Sequence, residues 1–420
     1  MRRSLTLAAC GFLGFCTCAS EVLGGQEHDH TSPTELDQID DYVAARLEKG
    51  RIPGAAMAIV HGDQILHMQT FGVADPSGRA VEVDTPFILG STSKPLTATA
   101  VMQLVDAGHV DLDSPVTHYL PWFRAADVEA SAKITVRDLL THRSGLSEAT
   151  RRSKLADRDT SSLALERHVR GVRDVRLVHE PGSTFEYSNT NYSVLGLIVQ
   201  TVAGKPYESF IQERLFGPLQ MNMSFTSQDL AQRAGMATGY RYWFGYPRAA
   251  PAMPFVRWAL PGGYLISNVR DMAHFLIAHL NEGLYSGGRI VSPASLQELH
   301  RPVAELAPNR WYAMGWAVEQ SDQELTLWHN GATPNFYSYI ALLPERHLGI
   351  VFVANAVDLF VTDEFNAIPQ GVVAMLRGMS PEIGADAPFH PPLSFPLVYT
   401  LPIFMLQLLW ILIHAIARRF

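Results

Sequence analysis

Cysteine is scarce in this chain, and none occurs after residue 18. The sequence has 420 residues and three cysteines, Cys10, Cys16 and Cys18. The remainder therefore has no disulfide, no thiolate zinc site and no cysteine nucleophile. The chain also lacks a run of basic residues, and its formal net charge is -8. Such a charge balance does not indicate a nucleic-acid-binding protein.

The interior of the chain has the composition of an ordinary globular protein. Hydrophobic residues make up 47% of the sequence, which is enough for a packed core. The length suffices for one large domain or two ordinary ones. No repeat period is visible, so a solenoid or propeller is not indicated.

The N-terminal residues have the layout of a secretory signal. Two arginines precede an apolar run from Leu5 to Phe15, and small residues follow. We expect a signal peptide over residues 1–20 and a linker over 21–33. Attachment of a lipid to Cys16 or Cys18 is one alternative, and a buried helix is another.

A second apolar run lies near the C-terminus, from Leu397 to Ala417. About twenty such residues span a bilayer, so we expect a transmembrane helix over 396–417 after a proline-rich linker over 379–395. Arg418 and Arg419 follow, and positive residues tend to stay on the cytoplasmic side. These features predict an exported domain, anchored in the membrane, with its C-terminus in the cytoplasm. A core helix is the alternative.

Between these segments, residues 34–378 have the pattern of one mixed domain, of the α/β (α+β) class. Two apolar strands surround a polar turn at Gly62-Asp63, and a second strand pair is expected over Tyr337–Leu343 and Gly349–Ala354. Helical patterns fill the middle, from Ser91 to about Leu230. This order predicts an antiparallel sheet completed by both halves of the chain, flanked by helices, with an all-helical subdomain.

The first motif with chemical meaning is Ser91-Thr92-Ser93-Lys94, followed by Pro95. Since proline is tolerated only in the first turn of a helix, a helix begins close to Ser91. Residues three apart on a helix are neighbours, so a hydroxyl and an amine meet at the positive end of the helix dipole, which favours a nascent anion. A serine nucleophile with a lysine base is built in this way. A chance Ser-x-x-Lys set is nevertheless expected roughly once in such a chain.

A second motif, Tyr187-Ser188-Asn189, lies in a polar stretch just before an apolar helix. Such a loop can present a phenol and an amide into a cleft. Beside a charged lysine, a tyrosine loses its proton more easily than usual. A capped loop with a packed tyrosine is the alternative.

A third motif, His329-Asn330-Gly331-Ala332, follows an apparent strand from Leu325 to Trp328. Gly331 lets a ligand approach the backbone closely. The N–H of Ala332 can then serve as an oxyanion donor beside that of Ser91. A structural histidine at a strand end is the alternative.

Taken in order, these three motifs resemble the active-site elements of the serine β-lactamase and penicillin-binding protein superfamily. The Tyr-x-Asn form is similar to class C β-lactamases and to the related CubicO-type serine hydrolases. The stretches from Thr135 to Leu146 and from Pro261 to Tyr264 agree with this resemblance, which covers most of the chain. It implies a β-lactamase/transpeptidase-like fold.

The resemblance implies a role for each matching residue. Ser91 attacks an acyl carbon, and Lys94 with Tyr187 moves its proton. Asn189 orients the substrate, and the N–H groups of Ser91 and Ala332 stabilise the oxyanion. Water or another acceptor then releases the acyl group from the enzyme.

Neither a metal nor another cofactor is implied by the resemblance. His28-Asp29-His30 has the composition of a metal-binding set, but it is interpreted as a solvated tail. The expected partner is a small-molecule or peptide ester or amide, together with the membrane, and the sequence leaves the oligomeric state open.

Two departures from the family pattern bear on the substrate. Many relatives carry lysine where this chain has His329, and histidine is mostly neutral at pH 7, so carboxylate-bearing β-lactams should be recognised less well. Asn335 stands where relatives often have glycine, which narrows the cleft or adds a polar contact. We therefore expect an esterase or D-amino-acid peptidase. The alternatives are a β-lactamase or D,D-carboxypeptidase, and a non-catalytic penicillin-binding or sensor domain.

Overall fold

The computed structural model describes residues 32–148, 159–243, 245–250, 255–321, 324–358, 362–381 and 394–417. Within these residues the strands are β1 Gly54–His61, β2 Gln64–Gly72, β3 Phe87–Ile88, β4 Tyr240–Trp243, β5 Tyr246–Ala249, β6 Ile266–Ser267, β7 Leu284–Tyr285, β8 Gly288–Arg289, β9 Ala304–Ala307, β10 Arg310–Tyr312, β11 Ala317–Ser321, β12 Glu324–Thr333, β13 Phe336–Leu343 and β14 Leu348–Ala354.

Eight of these strands form one sheet in the order β2-β1-β14-β13-β12-β11-β10-β9. Every neighbouring pair in it is antiparallel. The N-terminal hairpin lies beside the last strand, since Ala55 of β1 is opposite Ala354 of β14. The predicted antiparallel sheet, built from both halves of the chain, is therefore confirmed.

The described helices surround and interrupt this sheet. They are α1 Pro33–Gly50, α2 Ser93–Asp106, α3 Val116–Tyr119, α4 Val128–Ser131, α5 Val136–Leu140, α6 Ala164–Arg170, α7 Asn189–Ala203, α8 Tyr207–Ile211, α9 Gln228–Arg233, α10 Val269–Leu280, α11 Pro293–His300, α12 Thr362–Leu376 and α13 Ser394–Ala417. Helices α2 to α9 all lie between β3 and β4 in the chain, as the expected helix-rich middle requires.

Both faces of the central sheet are covered, which explains why β1, β13 and β14 are mostly apolar. In β1, Ala55, Met57 and Ile59 face the cluster that contains residues of α1 and α12. The alternate residues of β1 face the larger cluster that contains residues of α2, α7 and α10. Successive side chains of a strand point to opposite faces, so a strand between two helical layers must be apolar at every position.

The third motif lies inside a strand instead of following one. β12 continues through His329 to Thr333 because it pairs with β13 over that whole stretch. The expectation that the strand closes at Trp328 was therefore wrong. The polar motif does not stop the strand, since its backbone stays paired on one side.

The predicted C-terminal helix is present as α13, but its membrane role is not supported. Among the residues that the structure describes, no helix is both long and apolar enough for a membrane crossing. The predicted signal peptide, residues 1–20, and His28-Asp29-His30 lie outside the described residues, as do most of the proline-rich linker and Arg418 and Arg419.

Candidate active site

Ser91 stands on a tight turn at the beginning of α2. The chain enters α2 through a 3-10 turn, Gly90–Thr92, in which Gly90 has a left-handed φ of 57°. The carbonyl oxygen of Leu89 accepts hydrogen bonds from the hydroxyl of Thr92, at 2.8 Å, and from that of Ser338. Because Ser338 belongs to β13, these bonds hold the turn against the central sheet.

Lys94 is fully buried, one helical turn from Ser91. Its Nζ lies 2.9 Å from Ser91 Oγ and 2.7 Å from both Asn189 Oδ1 and Gly262 O. An ammonium group has three N–H donors, and the amide and carbonyl oxygens can only accept. The third direction faces Ser91. Lys94 can therefore donate to Ser91 Oγ or, as a neutral amine, take its proton.

The carbonyl that Gly262 offers to Lys94 comes from a kinked turn, Leu260–Tyr264, in which Gly263 is not helical. The neighbouring Pro261 carbonyl accepts from Thr97 Oγ1 at 2.7 Å, and the same hydroxyl accepts from Tyr207 at 2.6 Å. Thr97 and Lys94 are both on α2. Helix α2 therefore carries Lys94 and also positions the turn whose carbonyl accepts its hydrogen bond. This contact gives the Pro261–Tyr264 stretch a structural role in the site.

Tyr187 approaches Ser91 from the helical part of the domain. Its hydroxyl donates to Ser91 Oγ at 2.8 Å, and Lys94 Nζ lies 4.8 Å from its ring centroid. Ser188, the residue that precedes α7, is extended, with φ of -147°. In extended backbone, residues two apart point the same way. The Tyr-x-Asn spacing therefore brings a phenol and an amide to the same side of the Ser91–Lys94 pair.

One edge of β12 lies against the Ser91 turn. β12 pairs with β13 up to Thr333 but with β11 only up to Trp328. A Cβ at Gly331 would lie 2.9 Å from the backbone N of Ser91, and a Cβ at Gly90 would lie 2.7 Å from that of Ala332. Only glycine permits this approach from either side. The two N–H groups that sequence reasoning paired as oxyanion donors are thus held within one small region.

His329 is buried beside these groups in a neutral form. Its Nδ1 donates to the carbonyl of Asn330 at 2.6 Å, so its Nε2 accepts from the hydroxyl of Tyr312 at 3.1 Å. Burial and the positive charge of Lys94 lower the pKa of His329 to about 3, although the bond to Asn330 acts in the opposite direction. His329 is therefore uncharged at the position where many relatives carry lysine.

Asn330 and Asn335 are the sequence-predicted polar residues that point elsewhere. The amide of Asn330 donates to Asn366 Oδ1 on α12 at 2.9 Å, on the opposite face of β12 from His329. Asn335 follows β12 in the turn to β13 and is 2% exposed. Its amide packs against Gly239, so it does not narrow the cleft from a solvent-exposed position.

His142 belongs to the site, although the sequence assigned it no role. Its Nδ1 accepts from Ser188 N and from Asn191 Nδ2, both at 3.1 Å, and its ring lies 4.4 Å from that of Tyr187, centroid to centroid. Burial, followed by the positive charge of Lys94, lowers the pKa of His142 well below its ordinary value. A neutral imidazole therefore supports the Tyr187 loop from behind.

The assembled groups can perform nucleophilic acyl transfer without help from a metal ion. A hydroxyl lies within hydrogen-bond distance of both an amine and a phenol, beside two backbone N–H groups, which is the composition that this chemistry needs. Within the described residues, no group of three or more His, Cys, Asp or Glu side chains is arranged to hold a metal.

A family model described as Beta-lactamase matches residues 39–370, most of the chain. The chain belongs to the β-lactamase family. The superfamily indicated by the three motifs is thereby confirmed, and the enzymes of this family are in general serine hydrolases.

Relatives within the family include penicillin-binding proteins. "Penicillin-binding protein 4" of Amycolatopsis lactamdurans is 33% identical over 354 residues, which cover 81% of this chain and 89% of that protein. "Protein flp" of Staphylococcus aureus (strain MW2) is 29% identical over 320 residues, 76% of this chain and 62% of that protein. The octameric penicillin-binding protein homologue from Pyrococcus abyssi superposes with a TM-score of 0.70 at 24% identity, over 83% of this chain and 78% of that chain. This last likeness shows the fold.

Beside the motifs of the β-lactamase family, Glu148 contacts the site in a way that sequence reasoning missed. Its carboxylate accepts from Asn189 Nδ2 at 3.0 and 3.2 Å and from Asn189 N at 3.2 Å. Because Nδ2 of Asn189 points toward Glu148, Oδ1 of the same amide points toward Lys94. No local pattern marks Glu148, because its partner lies 41 residues further along the chain.

The approach of Gly90 to Ala332 predicts a loss of activity in Gly90→Ala. The new Cβ would lie 2.7 Å from Ala332 N, so the two oxyanion donors must separate. We expect kcat for an ester to fall about 100-fold, as when one oxyanion donor is removed. Gly62→Ala is the matched control, since Gly62 has the same φ of 57° with open space around it. Equal kcat values in the two variants would contradict this account of the glycine.

The contacts of Glu148 predict a slower enzyme in Glu148→Gln. Two N–H groups of Asn189 point at this side chain, and an amide there can accept from them only in part, so Asn189 Oδ1 loses its fixed direction toward Lys94. We expect kcat to fall about tenfold, with little change in KM or thermal stability. Glu186→Gln, the same change on the Tyr187 loop, should retain wild-type kcat. A wild-type kcat in Glu148→Gln would show that Asn189 is oriented without it.

Proposed function

We propose that this protein is a serine hydrolase that acts through an acyl-enzyme at Ser91 on an ester or amide, as an esterase or a D-amino-acid peptidase. The observation that carries the proposal is the position of Ser91 Oγ, 2.9 Å from Lys94 Nζ and 2.8 Å from Tyr187 OH. A serine that contacts both an amine and a phenol is equipped to lose its proton.

In the proposed reaction, Lys94 and Tyr187 act as one acid–base pair. Before the pair can receive the proton of Ser91, either Lys94 must be a neutral amine or Tyr187 must be a phenolate. Both Lys94 Nζ and Tyr187 OH are within hydrogen-bond distance of Ser91 Oγ, so either group can receive the proton directly. The pair then returns the proton to the leaving group, and later takes one from the water that attacks the acyl-enzyme.

The oxyanion of each tetrahedral intermediate would be stabilised by the backbone N–H groups of Ser91 and Ala332. Hydrogen-bond donors already in place lower the barrier because they need no reorganisation during the reaction. The Ser91 N–H is in the first turn of a helical segment, where N–H groups have no acceptor within the helix. Asn189 would orient the substrate while it holds Lys94.

The state of His329 supports a neutral substrate over a carboxylate-bearing one. Its Nδ1 and Nε2 are occupied by Asn330 O and Tyr312 OH, and Lys94 already supplies the positive charge nearby. A permanent carboxylate would find no second cation at this position. This observation favours an esterase or peptidase over a β-lactamase or D,D-carboxypeptidase. That pair is the second candidate, supported by 33% identity to a penicillin-binding protein.

We also propose that the domain works outside the cytoplasm. The proposal is supported by the arginines and apolar run of residues 1–20 and by the confinement of all three cysteines to that stretch. Fractionation of cells that produce the full chain, followed by detection of the domain, would test this location. Recovery in the cytoplasmic fraction alone would contradict it.

Ester hydrolysis should depend on Ser91. The full chain should hydrolyse a short-chain p-nitrophenyl ester, and Ser91→Ala should reduce the rate to the uncatalysed background because the nucleophile is lost. Ser183→Ala, in an exposed loop residue that bonds only to its own loop, should keep the wild-type rate. Background rates in the wild-type protein would exclude general esterase activity, and nitrocefin turnover exceeding ester turnover would favour the β-lactamase alternative.

The proposed function also predicts how substrate preference depends on pH. Because the pKa of His329 is lowered to about 3, this side chain should stay neutral from about pH 5 to pH 8. The ratio of kcat/KM for nitrocefin, which carries a carboxylate, to that for a neutral ester should therefore stay constant over this range. A ratio that rises as the pH falls through about 6.5, and no longer does so in His329→Asn, would show that His329 becomes a cation for the substrate.

A further inference from the structure

The hairpin formed by β4 and β5 carries its exposed side chains on one face. The register places Arg241 opposite Arg248 and Trp243 opposite Tyr246, and all four residues are exposed. Successive residues of a strand point to opposite faces, so these four share the outer face of the hairpin. The aromatic pair lies at the tip, beside the turn, and the arginine pair lies two residues behind it in each strand.

The inner face of the hairpin fixes it on the domain. Tyr240 is buried, and its backbone N–H donates to Asn355 O at 2.7 Å. The hydroxyl of Tyr242 donates to Gly50 O at 2.7 Å, and its ring packs edge-on against Phe365 of α12. The outer face is therefore held in one position before any partner binds.

The aromatic pair at the tip is open to water. Trp243 is 61% and Tyr246 is 53% exposed, and outside α13 no other phenylalanine, tyrosine or tryptophan that the structure describes is exposed. Arg51 lies beside this pair, since its guanidinium carbon is 4.5 Å from the ring centroid of Tyr246 and its Nη1 donates to Gly245 O at 3.1 Å. A single exposed aromatic residue is ordinary, but adjacent ones form an apolar patch of the kind that marks an interaction site.

The arginine pair has an electrostatic cost. Side chains directly opposite in an antiparallel pair have Cβ atoms about 5 Å apart, and like charges there destabilise the hairpin. Neither Arg241 nor Arg248 has an ion-pair partner among the residues that the structure describes. Arg51 adds a third positive charge at the tip. An anionic partner would remove the repulsion that the isolated domain retains.

We propose that this face docks the protein on a membrane surface that contains anionic phospholipids. Tryptophan and tyrosine rings are favoured at the level of the lipid headgroups, and anionic headgroups attract arginines close to the surface. The aromatic pair at the tip enters the headgroup region, and the arginine pair behind it meets the lipid phosphates. This docking is peripheral, and it requires neither a membrane-spanning segment nor the proposed hydrolase activity.

Other partners account for only part of this face. A small soluble anion satisfies the arginine pair and leaves the aromatic pair in water. A single nucleic-acid strand binds along a positively charged groove with successive stacking positions, whereas the hairpin offers one aromatic pair beside a turn. A membrane surface supplies an apolar boundary and negative charges in the order in which the hairpin presents its own two pairs.

The docking is tested by flotation of the full chain with two kinds of vesicle. One kind is phosphatidylcholine alone, and the other contains in addition about 30% phosphatidylglycerol. We expect the anionic vesicles to bind the wild-type chain about 25-fold more tightly, since each of the two arginines contributes about fivefold. Added NaCl should reduce this preference. Equal binding to the two kinds of vesicle would overturn the proposal.

Paired arginine variants show whether the preference comes from the hairpin. Arg241→Gln combined with Arg248→Gln should remove most of the preference for anionic vesicles. Arg173→Gln combined with Arg176→Gln is the matched control, because it removes the same charge from two exposed arginines between α6 and α7, and it should keep the preference. Since α13 is present in every variant, the differences report on the hairpin. A wild-type preference in the first variant, or an equal loss in both, would contradict the docking face.

Variants of the tip test the aromatic contribution in the same assay. Trp243→Ser combined with Tyr246→Ser should weaken binding to both kinds of vesicle about tenfold, because the buried apolar area is lost. Leu163→Ser combined with Leu284→Ser, at two other exposed apolar positions, should bind as the wild-type chain does. Wild-type binding by the first of these variants would overturn the proposed role of the tip.

Trp243→Phe supplies a second measurement that keeps an aromatic ring at the tip. Lipids with brominated acyl chains quench tryptophans that reach them, so the wild-type chain on anionic vesicles should be quenched more than Trp243→Phe. Equal quenching would show that the tip stays in water and would overturn the proposal. Binding of a fluorescent oligothymidylate that depends on the four outer-face residues, without binding to either kind of vesicle, would replace the membrane by single-stranded nucleic acid as the partner.

Discussion

The buried amine of Lys94 is the constraint on which the rest of the site depends. A fully buried ammonium is tolerated only where each N–H meets an oxygen. Here those oxygens come from Ser91, Asn189 and Gly262, residues that are far apart in the chain. To satisfy one nitrogen, the fold must bring the start of α2, the start of α7 and the Leu260–Tyr264 turn to a single point. Ser91, Asn189 and Lys94, the residues of the proposed reaction, are assembled by the same requirement.

This constraint extends outward in successive contacts. Asn189 can offer its oxygen to Lys94 because Glu148 holds its nitrogen, and Gly262 can do so because Thr97 fixes the neighbouring carbonyl. The charge of Lys94 also contributes to the lowered pKa values of His142 and His329. Both imidazoles are therefore neutral hydrogen-bonding groups, and Lys94 is the positive charge of this cluster.

The sequence predicted those parts of the molecule that depend on local patterns. Dihedral preferences and periodicity account for three of these parts. They are the strand pairs, the helix that begins near Ser91 and the Tyr-x-Asn spacing. The parts that it missed depend on distant contacts. Glu148 meets Asn189 across 41 residues, and His142 meets the Tyr187 loop across a similar distance. Asn330 was expected at the site, yet a strand that continues past Trp328 turns its side chain to the other face, toward Asn366.

The contact between Ser91 and Tyr187 has a consequence for how the protein loses activity on heating. The turn of Ser91 is attached to the central sheet through Ser338, whereas Tyr187 is attached to the helical part through Ser188 and His142. Their 2.8 Å hydrogen bond therefore links residues with different anchoring contacts. A relative displacement of about one ångström breaks a hydrogen bond while every helix and strand is intact. We therefore expect thermal inactivation to precede the loss of secondary structure.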